Sequence, residues 1–171
     1  EVATDITTLA GLGNAGAIDA SAVTGLTGTA AQMSAAISAM GTVPTALNTA
    51  PTGTASATDI INIAGNDGSG AVNATGVTTL TGTVTAINTA IAAMGTEPTT
   101  FATTLSAGTE AATDITTLAG LANAGAVDAT AVTTLTGTVT AINTAIAAMG
   151  TEPTTFATTL SAGTEAATDI T

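Results

Sequence analysis

Residues 83–105, TVTAINTAIAAMGTEPTTFATTL, hold the two readings on which the fold turns. The first half has a helical pattern. Val84, Ile87, Ile91 and Met94 follow a 3-4-3 spacing that lines one helix face, Ala fills positions between, and Gly95 supplies a stop. The second half, 97–105, reads as a shorter helix, with Pro98 suited to its first position and Phe101 and Leu105 four residues apart.

The same words recur along the chain. Counterparts of the first helix carry Ala30, Met33, Ile37 and Met40, and Val139, Ile142, Ile146 and Met149. Residues 108–121, GTEAATDITTLAGL, read as a third helix, since Ile115, Leu118 and Leu121 recur every three residues and Thr109 or Thr113 can cap its start. Its carboxylates, Glu110 and Asp114, then sit at the positive end of the helix dipole. Residues 126–132, AVDATAV, alternate small or apolar with polar and read as a short strand, whose copies would pair side by side into a ladder.

The recurrence has a period. Asp5, Asp59, Asp114 and Asp169 are spaced by 54, 55 and 55 residues, and Gly28, Gly82 and Gly137 keep the same beat, as do Pro44, Pro98 and Pro153. Residues 77–116 and 132–171 are identical over 40 positions. The chain therefore divides into repeats at 3–56, 57–111 and 112–166, with the start of a fourth at 167–171, and reads as a window on a longer periodic polymer. The one-residue difference in length falls between Pro44 and Asp59, so residues 45–56, TALNTAPTGTAS, read as a tolerant loop.

A period in this range predicts units that cover one another's apolar faces. Each large apolar side chain contributes roughly 1.5–3 kcal/mol when buried, against about 1–2 kcal/mol to order each backbone residue, so a single unit is marginal alone. The expected fold is a repeat solenoid of mixed α and short β structure, with two to three short helices and one short strand per unit. Its expected stacking core is Ile6, Leu9, Ile37, Met40, Ile87, Ile91, Met94, Ile115, Leu118, Ile142, Ile146 and Met149. Threonine abundance keeps an all-β solenoid or sandwich as the alternative, because a β-branched side chain favours strands.

Composition narrows the chemistry. The 171 residues include twelve Asp and Glu but no Lys, Arg, His, Cys, Trp or Tyr, for a formal net charge of −12, and Phe101 and Phe156 are the two aromatics. Phosphate backbones and anionic lipid are held through Lys and Arg, so neither nucleic acid nor an anionic membrane surface is an expected partner. General acid–base work is restricted to carboxylates, and a Ser or Thr nucleophile has no base to activate it. No enzyme is expected; an acid-only one is the remote alternative. No apolar run has the length of a membrane span.

One stretch departs from the period: residues 65–76, GNDGSGAVNATG. Asn66, Asp67 and Ser69 are hard oxygen ligands of the kind Ca²⁺ takes, although the spacing is not that of an EF-hand and a glycine-rich turn is the simpler reading. Calcium is the one cofactor this pattern suggests. Asn73 begins an NAT glycosylation sequon.

Residues 125–146, GAVDATAVTTLTGTVTAINTAI, with their relatives GAIDASAVTGLTGTAAQMSAAI and GAVNATGVTTLTGTVTAINTAI, resemble the Thr/Ala/Gly-rich tandem repeats of very long surface or secreted proteins of bacteria, notably marine cyanobacteria. That resemblance implies an extracellular or cell-surface structural role and transfers no catalytic residues. The expected function is a structural repeat segment of an extracellular filament, stalk or surface layer, whose partner is itself through stacked repeats. A calcium-dependent adhesion or binding module is the alternative.

Overall fold

The computed structural model describes residues 1–68 and 70–162, and the chain divides into two compact units. The first is Glu1–Leu80 with Thr89–Thr99; the second is Thr81–Asn88 with the chain from Thr100 onward.

The first unit runs α1 (Ala3–Ala10), β1 (Ile18–Asp19), β2 (Gly25–Thr29), α2 (Ala30–Ala39), β3 (Met40–Thr42), β4 (Asn48–Ser56), α3 (Ala57–Asn66) and β5 (Gly76–Gly82, to Leu80 in this unit). It takes the second half of α4 (Val84–Ala93) as well. β2 and β4 pair in parallel from Gly25↔Asn48 to Thr29↔Thr52, and β1 pairs in parallel with β3. A parallel pair needs a long crossover, which α2 supplies between β2 and β4.

The second unit contains β6 (Phe101–Leu105), β7 (Gly108–Ala111), α5 (Ala112–Ala119), β8 (Ala124–Asp128), β9 (Val132–Gly137), α6 (Val139–Ala148) and β10 (Ala157–Leu160). β6 pairs with β8, and β9 lies between β7 and β10; all of these pairs are parallel.

Local chemistry starts the helices where strands end. Gly28, Gly82 and Gly137 hold φ of 146°, 149° and 150°, a region costly for side-chain-bearing residues, and each is followed by a threonine that caps a helix. Thr29 and Gln32 form a reciprocal capping box on α2. The Thr83 and Thr138 hydroxyls accept the backbone N–H groups of Ala86 and Ala141 at 3.2 and 3.1 Å. Inside helices, threonine satisfies itself by back-bonding: Thr8, Thr116, Thr117 and Thr144 donate to carbonyls four residues earlier at 2.7–3.0 Å.

Several expectations are overturned. The described residues form six helices and ten mostly parallel strands, an α/β arrangement. They do not form the expected repeat solenoid with one short strand per unit, and the six helices remove the all-β alternative. Residues 97–105 contain strand β6 instead of a second helix. A spacing of four fits a helix turn and also two strand steps, and burial follows the strand period: Phe101, Thr103 and Leu105 are buried while Ala102 is exposed.

The presumed loop 45–56 contains the nine-residue strand β4. Asn48 N–H donates to Thr24, so by alternation the N–H that Pro51 lacks would face away from β2, and that pairing loses no bond. Residues 126–132 are split. β8 ends at Asp128, whose Oδ1 accepts the Thr130 N–H at 3.0 Å, and the same turn recurs at Asp19 with Ser21 and Asn73 with Thr75. Their copies do not form a ladder with one another, since β1 joins β3 and β8 joins β6. Neither Thr109 nor Thr113 caps α5; Ala111 stands at the cap with no side-chain bond, and residues 108–111 are β7.

Candidate functional site

Chemistry-bearing groups are few, and the most buried one is Glu110. It belongs to β7, not to the first turn of a helix, and is 3% exposed. Its Oε2 accepts the Val84 N–H at 3.1 Å, at the first turn of α4, while Oε1 has no hydrogen-bond partner among the described residues. Burial raises its pKa above the ordinary glutamate value, only partly opposed by the Val84 hydrogen bond, and nearby Asp114 adds to the rise. The residue is a buried acid that accepts from a helix N-terminus, with the Asp114 carboxylate nearby.

Two of the suggested calcium ligands, Asn66 and Asp67, lie at the C-terminal end of α3. The Asn66 amide donates to the Asn62 carbonyl and side-chain oxygens at 2.8 and 3.0 Å, folding back on α3. Asp67 is buried, which raises its pKa, and its carbonyl accepts the Leu47 and Gly70 N–H groups. Gly68 has φ 67°, and a Cβ there would overlap the Thr45 carbonyl, so this glycine is needed for close backbone packing. Ser69 lies outside the described residues. Among the described residues no three acidic side chains converge on a metal position, and no helix is long and apolar enough to cross a membrane. Asn73, first residue of the sequon, is exposed.

More informative are two apolar surfaces, one in each unit. In the first unit, Ile6, Leu9, Ile18, Ala20 and Val23 line a cleft of about 240 Å³ bordered by Glu1, Asp5 and Asp19. Leu9 is 49% exposed and Leu12 52%. In the second unit, Val139, Ile142, Ile146, Phe156 and Leu160 line a groove between α6 and β10, with Leu160 48% exposed.

The repeats make these exposures interpretable. α1 and α5 share the sequence ATDITTLA, but Leu118 is fully buried where Leu9 is not. β6 and β10 share ATTL after a phenylalanine, but Phe101 and Leu105 are buried where Phe156 is half-buried and Leu160 exposed. Of the expected core, Ile6, Ile37, Met40, Ile87, Ile91, Ile115, Leu118, Ile142 and Met149 are buried. Met94 and Ile146 are half-buried and Leu9 is exposed. Sequence reasoning missed Glu110 as a helix-end acceptor, and β10 as a strand, since 156–160 carries the same four-residue Phe–Leu spacing as 101–105, which fits either period.

Among the described residues, strand β10 pairs along one edge, with β9. Ser161 N–H donates to Gly137 O at 2.9 Å, as Ser106 N–H donates to Gly82 O at 2.8 Å at the end of β6. β6 carries β8 along its other edge, whereas β10 is the terminal strand of its sheet among the described residues. Comparison of this chain with protein-family models, curated proteins and solved structures found no match.

Proposed function

We propose that this chain is a structural segment of an extracellular filament, stalk or surface layer that associates with itself through its repeated units. The observation that carries this reading is that the sequence period is also a structural one: helices α2, α4 and α6 begin at Ala30, Val84 and Val139, each directly after a Gly–Thr start, at steps of 54 and 55 residues. Units that repeat in both sequence and local structure suit a protein built by adding like to like. The uniform negative charge supports a saline setting, because the screening length falls to about 8 Å at physiological ionic strength and lets like-charged chains approach.

Sedimentation velocity across a concentration series, at low and at physiological salt, tests the proposal. Oligomers that grow with concentration and salt are expected, with elongated particles by electron microscopy. A chain that stays monomeric at every concentration and salt would remove it.

A further inference from the structure

Asp19, Asn73 and Asp128 stand 54 and 55 residues apart and share one turn: each Oδ1 accepts the N–H two residues on, at 3.0, 3.2 and 3.0 Å. The turn is open to solvent wherever it falls along the chain, since Ser21, Thr75 and Thr130, its third residues, are exposed in all three repeats. The middle copy alone carries an amide in place of a carboxylate, and there the turn spells Asn-Ala-Thr. No other asparagine of the chain is followed two residues later by Ser or Thr.

The backbone of this turn is pinned. Asn73 N–H donates to Thr49 O and Ala74 N–H to Thr96 O, both at 2.8 Å, and the buried Ala74 accepts the Val77 N–H at 2.9 Å. The side chains on either side of Ala74, Asn73 and Thr75, are exposed. The Thr75 hydroxyl donates to Asn73 Oδ1 at 2.8 Å, beside the bond from the Thr75 N–H. Two donors on one amide oxygen stabilise negative charge there, and so ease loss of a proton from Nδ2. The first repeat shows the same effect on a carboxylate: the Ser21 N–H and hydroxyl hold Asp19 below the ordinary aspartate range.

We infer that Asn73 is an acceptor for an N-linked glycan, delivered by an oligosaccharyltransferase from a polyprenyl-pyrophosphate-linked oligosaccharide. Nδ2 attacks the anomeric carbon of the first sugar, and an N–C bond forms. The bond from that carbon to the pyrophosphate oxygen breaks, its electron pair leaves with the lipid pyrophosphate, and the Nδ2 proton passes to a base of the transferase. The site rests on the extracellular part of the reading above, because this modification belongs to surface turns of exported proteins, and not on self-association.

Transfer to the folded chain tests it, using membranes that carry the transferase and the lipid-linked donor, with intact mass and release by a peptide-N-glycosidase as readouts. Wild type should gain one glycan and Asn73→Gln none. Thr75→Val keeps the side-chain shape without the hydroxyl and should lose transfer. Asp128→Asn writes the same three residues into the same turn of the third repeat, and should gain a second glycan. Ala50→Thr places the same spacing after Asn48 in the paired strand β4, and should gain no second glycan. Circular dichroism should match wild type for all four variants.

A folded wild type that stays unmodified, or a glycan that survives Asn73→Gln, overturns the site. Equal gains from Asp128→Asn and Ala50→Thr, or none from Asp128→Asn, overturn the role of the turn. Wild type that forms oligomers but takes no glycan removes this site alone, whereas a glycosylated chain that never associates removes self-association alone.

Discussion

Residues 101–105 and 156–160 are the same five letters, FATTL, in two different situations. In β6, Phe101, Thr103 and Leu105 are all buried, with β8 along one edge; in β10, Thr158 and Leu160 are exposed and Phe156 half-buried, with no strand beyond it among the described residues. Helices α1 and α5 repeat the lesson, with Leu118 buried and Leu9 exposed on identical sequence. Local sequence sets the conformation of each element, since both FATTL copies include strands and both ATDITTLA copies are helices. Neighbours set what each side chain is worth.

The largest test of this contrast is to truncate the two leucines. Leu105→Ala should cost about 2–5 kcal/mol in urea denaturation, because it opens a cavity at a buried site, while Leu160→Ala should stay within about 0.5 kcal/mol in dilute, unassembled protein. Equal costs would break the comparison.

Next in size is the threonine between them. Thr103 is 2% exposed and its hydroxyl has no partner among the described residues, a condition shared by Thr49 in the first repeat. Replacing Thr103 by Val removes an unsatisfied buried oxygen at constant shape and should stabilise by about 1–2 kcal/mol, whereas Thr158→Val should change little. Chemical denaturation of both variants reads the difference, and a destabilised Thr103→Val would mean that the hydroxyl is satisfied in solution.

The two glutamates Glu110 and Glu1 stand at matching positions before identical helix sequences, one buried and one exposed. Because burial raises the folded-state pKa of Glu110, its contribution to stability is fully present below the unfolded value and is lost as pH rises through the folded value. Glu110→Gln should therefore raise Tm near pH 7, by about 2–4 °C for an effect of about 1 kcal/mol in a chain of this size, and the gain should shrink toward pH 4. Calorimetry from pH 4 to 8 checks this. A Glu110→Gln gain that grows as pH falls would contradict the burial argument.

The smallest effect concerns caps. α1 and α5 begin at Val2 and Ala111 with no side-chain cap, whereas Ser56 caps α3 by accepting the Asp59 N–H at 3.1 Å. Ala111→Ser should add about 0.5–1 kcal/mol and Ser56→Ala should remove about the same. Thermal melts that move both variants in one direction would show that capping is not what separates these helices.

Legibility in the sequence followed the length of the pattern. The helices α2, α4 and α6 were readable because ten-residue stretches carry apolar residues at helical spacing between small ones, which a strand could not bury on one side. β6 and β4 were not. Five residues with Phe and Leu four apart satisfy either period, and Pro51 with Gly53 looks like a loop unless the direction of each N–H is known. The calcium pattern at Asn66 and Asp67 was legible as composition only. Its use as a close turn depends on loop 44–47, which approaches it only in the folded chain.

By itself, the sequence determined the period, the absence of cationic and imidazole chemistry, the positions of the longer helices and the recurrent glycine–threonine starts, because these depend on residue type and short spacing. Tertiary structure alone decided which of two identical leucines is buried, where Glu110 sends its carboxylate, and that FATTL becomes a strand. Each of those depends on a partner distant along the chain, and a strand, unlike a helix, cannot complete its backbone hydrogen bonds without one.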